Sequence, residues 1–449
     1  MDNKRNLKLI VIGGVAAGMS AASKLKRMNK DAQILVYEKG KFLSYGACGL
    51  PYYVSGENDD YTKMIARTKE QFEQMGMDIY IQHEVVKVVP EKKQVMVRDI
   101  VNNKLFIETY DKLMISTGTV PLIPPFPGVN LSNIHVLKTL EDGIRLKQIA
   151  NDPSIQDVVI VGGGYIGIEV VEAMLRLGKR VRVVELSERI LKTFDQELTD
   201  IAEKELIEQG VHLNLNEKVE SFIGNERVEA VQTDKGTYAA DLVLLSIGVK
   251  PATRFLEGSG IKLASNSAVM IDREMRTNIE NVYSAGDCAQ VYHKVMEENT
   301  FIPLGTNANK CGRIAGANIA GEHTKYIGTL GSAAIKVCNL EMGRTGLSEF
   351  EAQSLAIDYS TVFVQSADHP GYYPDQTPIW IKLICEKRTR RILGAQAIGQ
   401  KGAVLRVDIF AVAIHNNMSA DELGMTDLVY APPFAGVWDA VHIASNAVK

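Results

Sequence analysis

The sequence is poor in cysteine and tryptophan, with 5 and 2 of its 449 residues, and no two cysteines are spaced as CxxC. Cys48, Cys288, Cys311, Cys338 and Cys385 are odd in number and far apart, which excludes a disulfide-stapled framework and a cysteine-built zinc site. No metal site is expected. Long apolar runs are also missing, so nothing approaches the ~18 residues of a membrane span. The start, MDNKRNLKLIVIGG, lacks the roughly 7 to 15 apolar residues of a leader, and a cytoplasmic location without membrane contact is the expectation. Excess positive charge is absent too. Fifty Lys and Arg against 54 Asp and Glu give a formal charge of −4, the wrong sign for a nucleic-acid footprint. What remains is an ordinary globular composition, 46% hydrophobic, in a chain longer than the ~250–300 residues at which one core stops growing. Two or three domains are expected.

Glycine, by contrast, is plentiful at 37 residues, and its placement is informative. LKLIVIGGVAAGMSAASKLKRMNKDAQILVYEKG reads as apolar strand, glycine turn, small-residue helix and a second strand ending in Glu38. Such a βαβ unit lets the turn approach a pyrophosphate, offers the helix N-terminal N–H groups, and places an acid ~20 residues on to accept ribose hydroxyls. Gly13, Gly14, Val15, Ala16 and Gly18 form the turn. Val15 breaks the strict GxGxxG spacing, and a glycine-rich packing turn would look the same. DVVIVGGGYIGIEVVEAMLRLGKRVRVVELSERI repeats the unit with Gly162, Gly164 and Gly167 in GxGxxG register and Glu185 closing the second strand. Two copies, each with strand, turn, helix, strand and acid in order, predict an α/β fold with two Rossmann-like nucleotide-binding domains.

DKLMISTGTVPLIPP and ADLVLLSIGVKPATRF each end an apolar strand in a small residue, glycine and then proline, a place for the chain to cross between domains. NIENVYSAGDCAQ follows, with Gly286 and Asp287 after a short strand. From about residue 326, AAIKVCNLEMGRTG, TVFVQSA, PIWIKLICEK and RILGAQAIG read as strands, and VLRVDIFAVAIHNN as a helix.

Two nucleotide folds, the STG and SIG crossings and AGD, in that order, resemble the flavin-dependent pyridine nucleotide disulfide oxidoreductases over the whole chain. The resemblance implies FAD on the first fold, bound by residues 1–118 and 250–325, an inserted NAD(P)H domain at 119–249, and a C-terminal α+β dimerisation domain at 326–449. It assigns Thr117, Gly118, Gly286 and Asp287 to FAD, although an aspartate at such a turn is also a helix N-cap. Tyr165 would cover the flavin until nicotinamide displaces it, with Glu169 near the flavin ring. NADH is the expected coenzyme, with NADPH also possible, because Glu185 suits two ribose hydroxyls and repels a 2′-phosphate, while Arg182 and Arg189 stand close enough to blunt that preference.

Family members with two redox cysteines separate them by four residues, and here the flanking positions are Leu43 and Tyr53. Cys48 therefore resembles the redox residue of the single-cysteine branch: coenzyme A disulfide reductases, NADH peroxidases and NADH oxidases. The peroxidases and oxidases carry a histidine in the first glycine turn. Ala16 holds that place here, and no other histidine precedes His83. SYGACGLPY resembles the reductase segment SFANCxLPY at Ser44, Cys48, Leu50, Pro51 and Tyr52, while Ala47 replaces its asparagine. HPGYYPDQ and DLVYAPPFAG resemble segments that bring partner-subunit tyrosines to the thiol, implying Tyr430 and Tyr372, with Tyr373 as the alternative register. Lys26 and Arg27 match the helix that meets coenzyme A phosphates, or form a solvated face. The expectation is a homodimeric NAD(P)H-dependent flavoenzyme reducing coenzyme A disulfide, or a coenzyme A-linked persulfide or polysulfide. The alternatives are an NADH oxidase or peroxidase cycling Cys48 through a sulfenic acid, and a flavin redox sensor.

Overall fold

Three five-stranded sheets organise the chain in the computed structural model, which describes residues 6–449. The first is wholly parallel and runs Val282–Ser284, Lys112–Ile115, Lys8–Ile12, Gln33–Glu38, Asp78–Ile81. The second, also parallel, runs His212–Asn214, Arg180–Val184, Asp157–Val161, Leu242–Leu245, Ile134–His135. Parallel strands are covered on both faces, which is why KLIVI, DVVIV and LVLL are continuous apolar runs rather than alternating ones. Their inner residues, from Leu9 to Val11 and from Val158 to Ile160, are almost wholly buried.

Each parallel sheet carries the same appendage. An antiparallel meander of three strands, residues 83–109, lies between the outer strand and Lys112–Ile115 of the first sheet. Val219–Gly224, Val228–Thr233 and Thr237–Ala239 do the same before Leu242–Leu245 of the second. The two crossings lie side by side, Thr119–Pro121 pairing antiparallel with Val249–Pro251. Those prolines stand in a ribbon that, among the described residues, has two strands, where a missing N–H costs no ladder bond. Because Val282–Ser284 joins the first sheet after the whole second sheet is complete, the first nucleotide fold is discontinuous in sequence.

The third sheet is antiparallel, ordered Ala333–Val337, Leu340–Gly346, Ile392–Gly399, Pro378–Glu386, Tyr359–Ala367, and the helix Ala403–His415 packs on it. The predicted C-terminal strands and helix are present. One hydrophobic cluster joins this sheet to the second nucleotide fold, since Ile335, Val337, Met342 and Ile398 share a core with Val158, Ile168 and Leu198. Cys288, Cys311 and Cys385 are buried, whereas Cys338 is half-buried at a turn with φ 54°.

The helices Ala16–Met28 and Gly305–Ile319 touch backbone to backbone. A Cβ on Gly312 would lie 2.3 Å from Ala17 O, and one on Gly316 2.4 Å from Ala21 O, so only glycine permits this approach. Gly312→Ala should push the helices apart at a cost of about 1–3 kcal/mol. Thermal melting should then fall by roughly 2–10 °C; a melt matching the parent protein would show that the approach carries no stability.

Candidate active site

The two glycine turns repeat each other bond for bond. Gly13 N–H donates to Tyr37 O and Gly162 N–H to Val184 O, both at 2.9 Å. Both glycines have φ near +100°, 99° and 104°, a region closed to side chains. Ser116 Oγ reaches Ile12 O at 2.8 Å and Gly13 O at 3.1 Å, and Ser246 Oγ reaches Val161 O at 3.1 Å and Gly162 O at 2.9 Å, each closing its turn from the neighbouring strand. The acids match as well. Glu38 accepts from Gly14 N–H and Gly40 N–H, both at 2.7 Å. Glu185 accepts from Gly163 N–H at 2.6 Å and Ser187 N–H at 2.8 Å. Val15, the departure from GxGxxG, serves as helix N-cap and leaves the repeat intact.

Both turns fit a dinucleotide. Helices elsewhere, such as Leu140–Ala150 and Ala440–Asn446, close their N-termini with capping boxes. Those opened by the glycine turns, Ala16–Met28 and Tyr165–Arg176, have no capping side chain and no acid in the first turn, leaving N–H groups and the positive helix end for an anion. At the first crossing, Thr117 Oγ1 and Thr119 Oγ1 are buried without a partner. A Cβ on Gly118 or Gly164 would meet nothing within 4 Å, so both border open space. Asp287 accepts from Lys138 at 3.2 Å. Lys138 escaped the sequence reading because 149 positions separate it from its partner; its only local sign is that it precedes the cap of Leu140–Ala150. Of the two arginines beside Glu185, Arg182 stacks 4.0 Å from the Tyr238 ring centroid and bonds Asn214, while Arg189 lies 3.6 Å from the exposed Glu188.

Cys48 stands on the single turn Ala47–Gly49 that opens the helix Leu50–Val54. Its segment is fastened to the first glycine turn. Ser44 N–H donates to Gly14 O at 2.8 Å, with Ser44 at φ 51°, and Gly46 N–H donates to Met64 O at 2.9 Å. The thiol is reachable from solvent, and the other four cysteines are buried or half-buried. Enclosure by protein raises its pKa first, Glu169 and then Asp287 add to the rise, and Lys138 opposes it. Glu169 is itself pushed up to about 7, by burial and by Glu172. Tyr52 is pushed up to about 12 by burial and the same carboxylates.

Tyr372 and Tyr430 lie 58 positions apart in the chain, yet their phenol oxygens are 2.8 Å apart. Tyr373 instead stacks edge-on against His369 at 5.3 Å, so Tyr372 is the register that meets Tyr430. Arg406 connects the two loops. Its guanidinium donates to Asp368 O at 2.8 Å and to both Asp439 carboxylate oxygens at 2.8–3.0 Å, all buried. Both tyrosines are exposed, Tyr372 at 73% and Tyr430 at 46%. Around them Val429, Phe434, Val437 and Trp438 are exposed as well, an apolar surface of the kind that marks an interface.

Of the predicted basic pair, only Arg27 stands where an outside anion could reach it. Lys26 turns to Ala32 O at 2.9 Å and packs over Gly76. The exposed seam where the two helices meet is marked by Ser20 Oγ donating to Asn309 Oδ1 at 3.0 Å. Lys24 and Arg27 follow Ser20 at helical spacing, and Arg313 follows Asn309, which gives a basic stripe that pairwise sequence reading missed by one side chain.

The charge on Glu169 yields a sign for the thiol. Above about pH 7 this carboxylate is ionised and opposes the Cys48 thiolate, so Glu169→Gln should lower the thiol pKa. Iodoacetamide alkylation of Cys48, followed by mass spectrometry from pH 6 to about 10, should shift to lower pH in the variant; an unchanged profile contradicts the coupling.

Residues 7–309 match the profile of the pyridine nucleotide-disulphide oxidoreductases, and residues 332–441 match that family's dimerisation domain. The NAD(P)H sulfur oxidoreductase (CoA-dependent) of Pyrococcus abyssi is 37% identical over 442 residues, 98% of each chain. An NADH oxidase of Methanocaldococcus jannaschii is 32% identical over 442 residues, again 98% of each chain. The crystal structure of reduced Bacillus anthracis CoADR-RHD superposes with a TM-score of 0.96 at 32% identity, covering 100% of this chain and 81% of that one. Two matched glycine turns, a lone reachable thiol and a dimerisation sheet thus belong to one enzyme family, and this chain is a member of the pyridine nucleotide-disulphide oxidoreductases.

Proposed function

We propose that this chain is a homodimeric, cytoplasmic reductase that uses NADH and FAD to cleave a sulfur–sulfur bond carried by coenzyme A: the disulfide, or a persulfide or polysulfide linked to it. One observation carries the reading. Cys48 is the reachable thiol among five free cysteines, so the sulfur that pairs with it comes from outside. The basic stripe of Lys24, Arg27 and Arg313 supports a substrate rich in phosphate, with Ser44 at the entrance to the thiol segment.

FAD would lie on the turn Gly13–Gly18 with its ribose toward Glu38 and its middle toward Thr117, Gly118, Gly286 and Asp287. There it supplies the passage of two electrons from NADH to sulfur. The remaining work falls to this chain's residues. The Cys48 thiolate attacks one sulfur of coenzyme A disulfide, a mixed disulfide forms, and one coenzyme A thiolate leaves. The Tyr372–Tyr430 pair of the partner subunit donates a hydrogen bond that stabilises the departing thiolate. Within one protomer the charges that act most on Cys48 are Glu169, Asp287 and Lys138. In the phenol pair one hydroxyl donates to the other, and that bond raises the pKa of Tyr372, so the phenol remains a hydrogen-bond donor. The helix Ala403–His415 exposes Leu405 at 72% and Val412 at 62%, which supports burial against a second copy.

Ala16 in the first glycine turn weighs against peroxide chemistry, and subunit mixing separates the readings. Cys48→Ser should retain FAD but lose turnover of coenzyme A disulfide. The Tyr372→Phe, Tyr430→Phe variant should lose turnover about 100-fold. Mixed dimers contain one site with both defects and one intact site, so activity should return to about half the parent's on a per-mixed-dimer basis. No recovery despite subunit exchange verified by mass defeats the cross-subunit assignment. Full turnover by Cys48→Ser defeats the mechanism, NADH oxidation by oxygen alone marks an oxidase, and neither activity marks a sensor.

Coenzyme choice rests on Glu185. Its carboxylate takes two backbone N–H bonds and keeps lone pairs suited to a ribose diol, while a 2′-phosphate would meet its charge with Arg182 held on Tyr238. The ratio of kcat/KM for NADH over NADPH should be about tenfold or more, and a higher value for NADPH in the same buffer overturns the assignment.

A further inference from the structure

Among the contacts between the C-terminal sheet and the nucleotide domain, one group falls on the short segment that ends at Asp195. Arg344, on the strand Leu340–Gly346 and 7% exposed, donates through Nη1 to Thr193 O. Its other arm is held by Gly346 O at 3.0 Å and Glu351 at 2.6 Å. Two residues on, Asp195 N–H donates to Gln396 Oε1 at 2.8 Å, and Gln396 returns a bond to the Asp195 carboxylate at 2.7 Å. That carboxylate also accepts from Glu349 N–H at 3.1 Å and lies 3.5 Å from the buried ammonium of Lys382. At the other end, Leu191 adopts φ 46°, and its N–H donates to Gly163 O at 2.8 Å. Leucine with positive φ is strained, and tertiary contacts hold it there.

Between these anchors the segment touches Tyr165. Thr193 Oγ1 donates to the Tyr165 hydroxyl at 3.2 Å, and the Phe194 ring lies 6.1 Å from the Tyr165 ring. We propose that the C-terminal domain fixes the resting position of Tyr165 through Arg344 and Thr193, making these two positioning residues for nicotinamide entry. The proposal rests on Tyr165 covering the nicotinamide site at rest. Arg344, Gln396 and Lys382 then fix the segment, and the Thr193 hydroxyl holds the phenol. For nicotinamide to enter, that one bond must break, and its strength becomes part of the cost of binding.

Thr193 is exposed, so its side chain can be changed without opening the core. In the holoenzyme, Thr193→Val should tighten NAD+, which binds without donating hydride, by about 2- to 10-fold, the worth of one neutral hydrogen bond. It should lower KM for NADH with little change in kcat and raise flavin fluorescence as the ring of Tyr165 loosens. Thr193→Ser should restore parent values. Arg344→Lys, which keeps a charge toward Glu351 but loses the arm to Thr193 O, should move binding the same way as Thr193→Val. Tyr165→Phe should reproduce the effect and erase any further change from Thr193→Val. Unchanged or weaker NAD+ binding in Thr193→Val, while Tyr165→Ala binds more tightly, overturns the relay alone. NAD+ binding unchanged in Tyr165→Ala overturns the role of Tyr165 itself, and an equal Thr193→Val effect in the Tyr165→Phe background shows that the path does not run through the phenol.

Discussion

Two backbone hydrogen bonds of 2.8 Å, Ser44 N–H to Gly14 O and Leu191 N–H to Gly163 O, shape both nucleotide folds in the same way. Each folds the chain after a second parallel strand back over its own glycine turn, and each needs a residue forced to positive φ, 51° at Ser44 and 46° at Leu191. Such strain costs on the order of 1 kcal/mol or more and persists where surrounding contacts over-determine it. In the first fold the returned segment delivers Cys48 to the mouth of the turn. In the second it delivers Thr193 to Tyr165. The same local device, used twice, thus carries Cys48 in one half and Thr193, bonded to Tyr165, in the other.

The electrostatics around the thiol run against a permanently ionised cysteine. Enclosure, Glu169 and Asp287 all raise its pKa, with Lys138 as the opposing charge. A thiol held back in this way depends on what is bound beside it for its reactivity, and the positive ends of two uncapped helices are aimed where dinucleotides would sit. Glu169, titrating at about 7, changes charge within the working range and couples that reactivity to pH. The bond between the two phenols raises the pKa of Tyr372.

The C-terminal domain has two roles that its sequence position does not announce. Its outer face presents the tyrosines among exposed Val429, Phe434 and Trp438, and its inner face shares a hydrophobic core with the second nucleotide fold. Lys382 illustrates the second role. It is 2% exposed and lies against Glu197, Glu349 and Asp195, three carboxylates drawn from two domains. Removing a buried ammonium of this kind would leave unpaired charge on both sides of the joint.

Much of this was legible in the chain itself. Strands that read as apolar runs, glycines at fixed offsets and an acid at the end of each second strand are local patterns, set by backbone sterics and helix-end chemistry, and both units fold as their residues dictate. The lone Cys48 was legible for the same reason, since the absence of a neighbouring cysteine is a property of the sequence. Contacts between distant residues were not. Lys138 reaching Asp287, Arg406 joining the loops of Tyr372 and Tyr430, the turning of Lys26 toward Ala32 in place of Lys24, and the grip of Arg344 on Thr193 all depend on which surfaces the sheets bring together. The sequence by itself determined the two nucleotide folds and the isolation of one thiol, Cys48. Which charges and phenols surround that thiol was decided by tertiary packing, because a side chain's partner across 100 or more positions is chosen by the fold and leaves no periodicity to read.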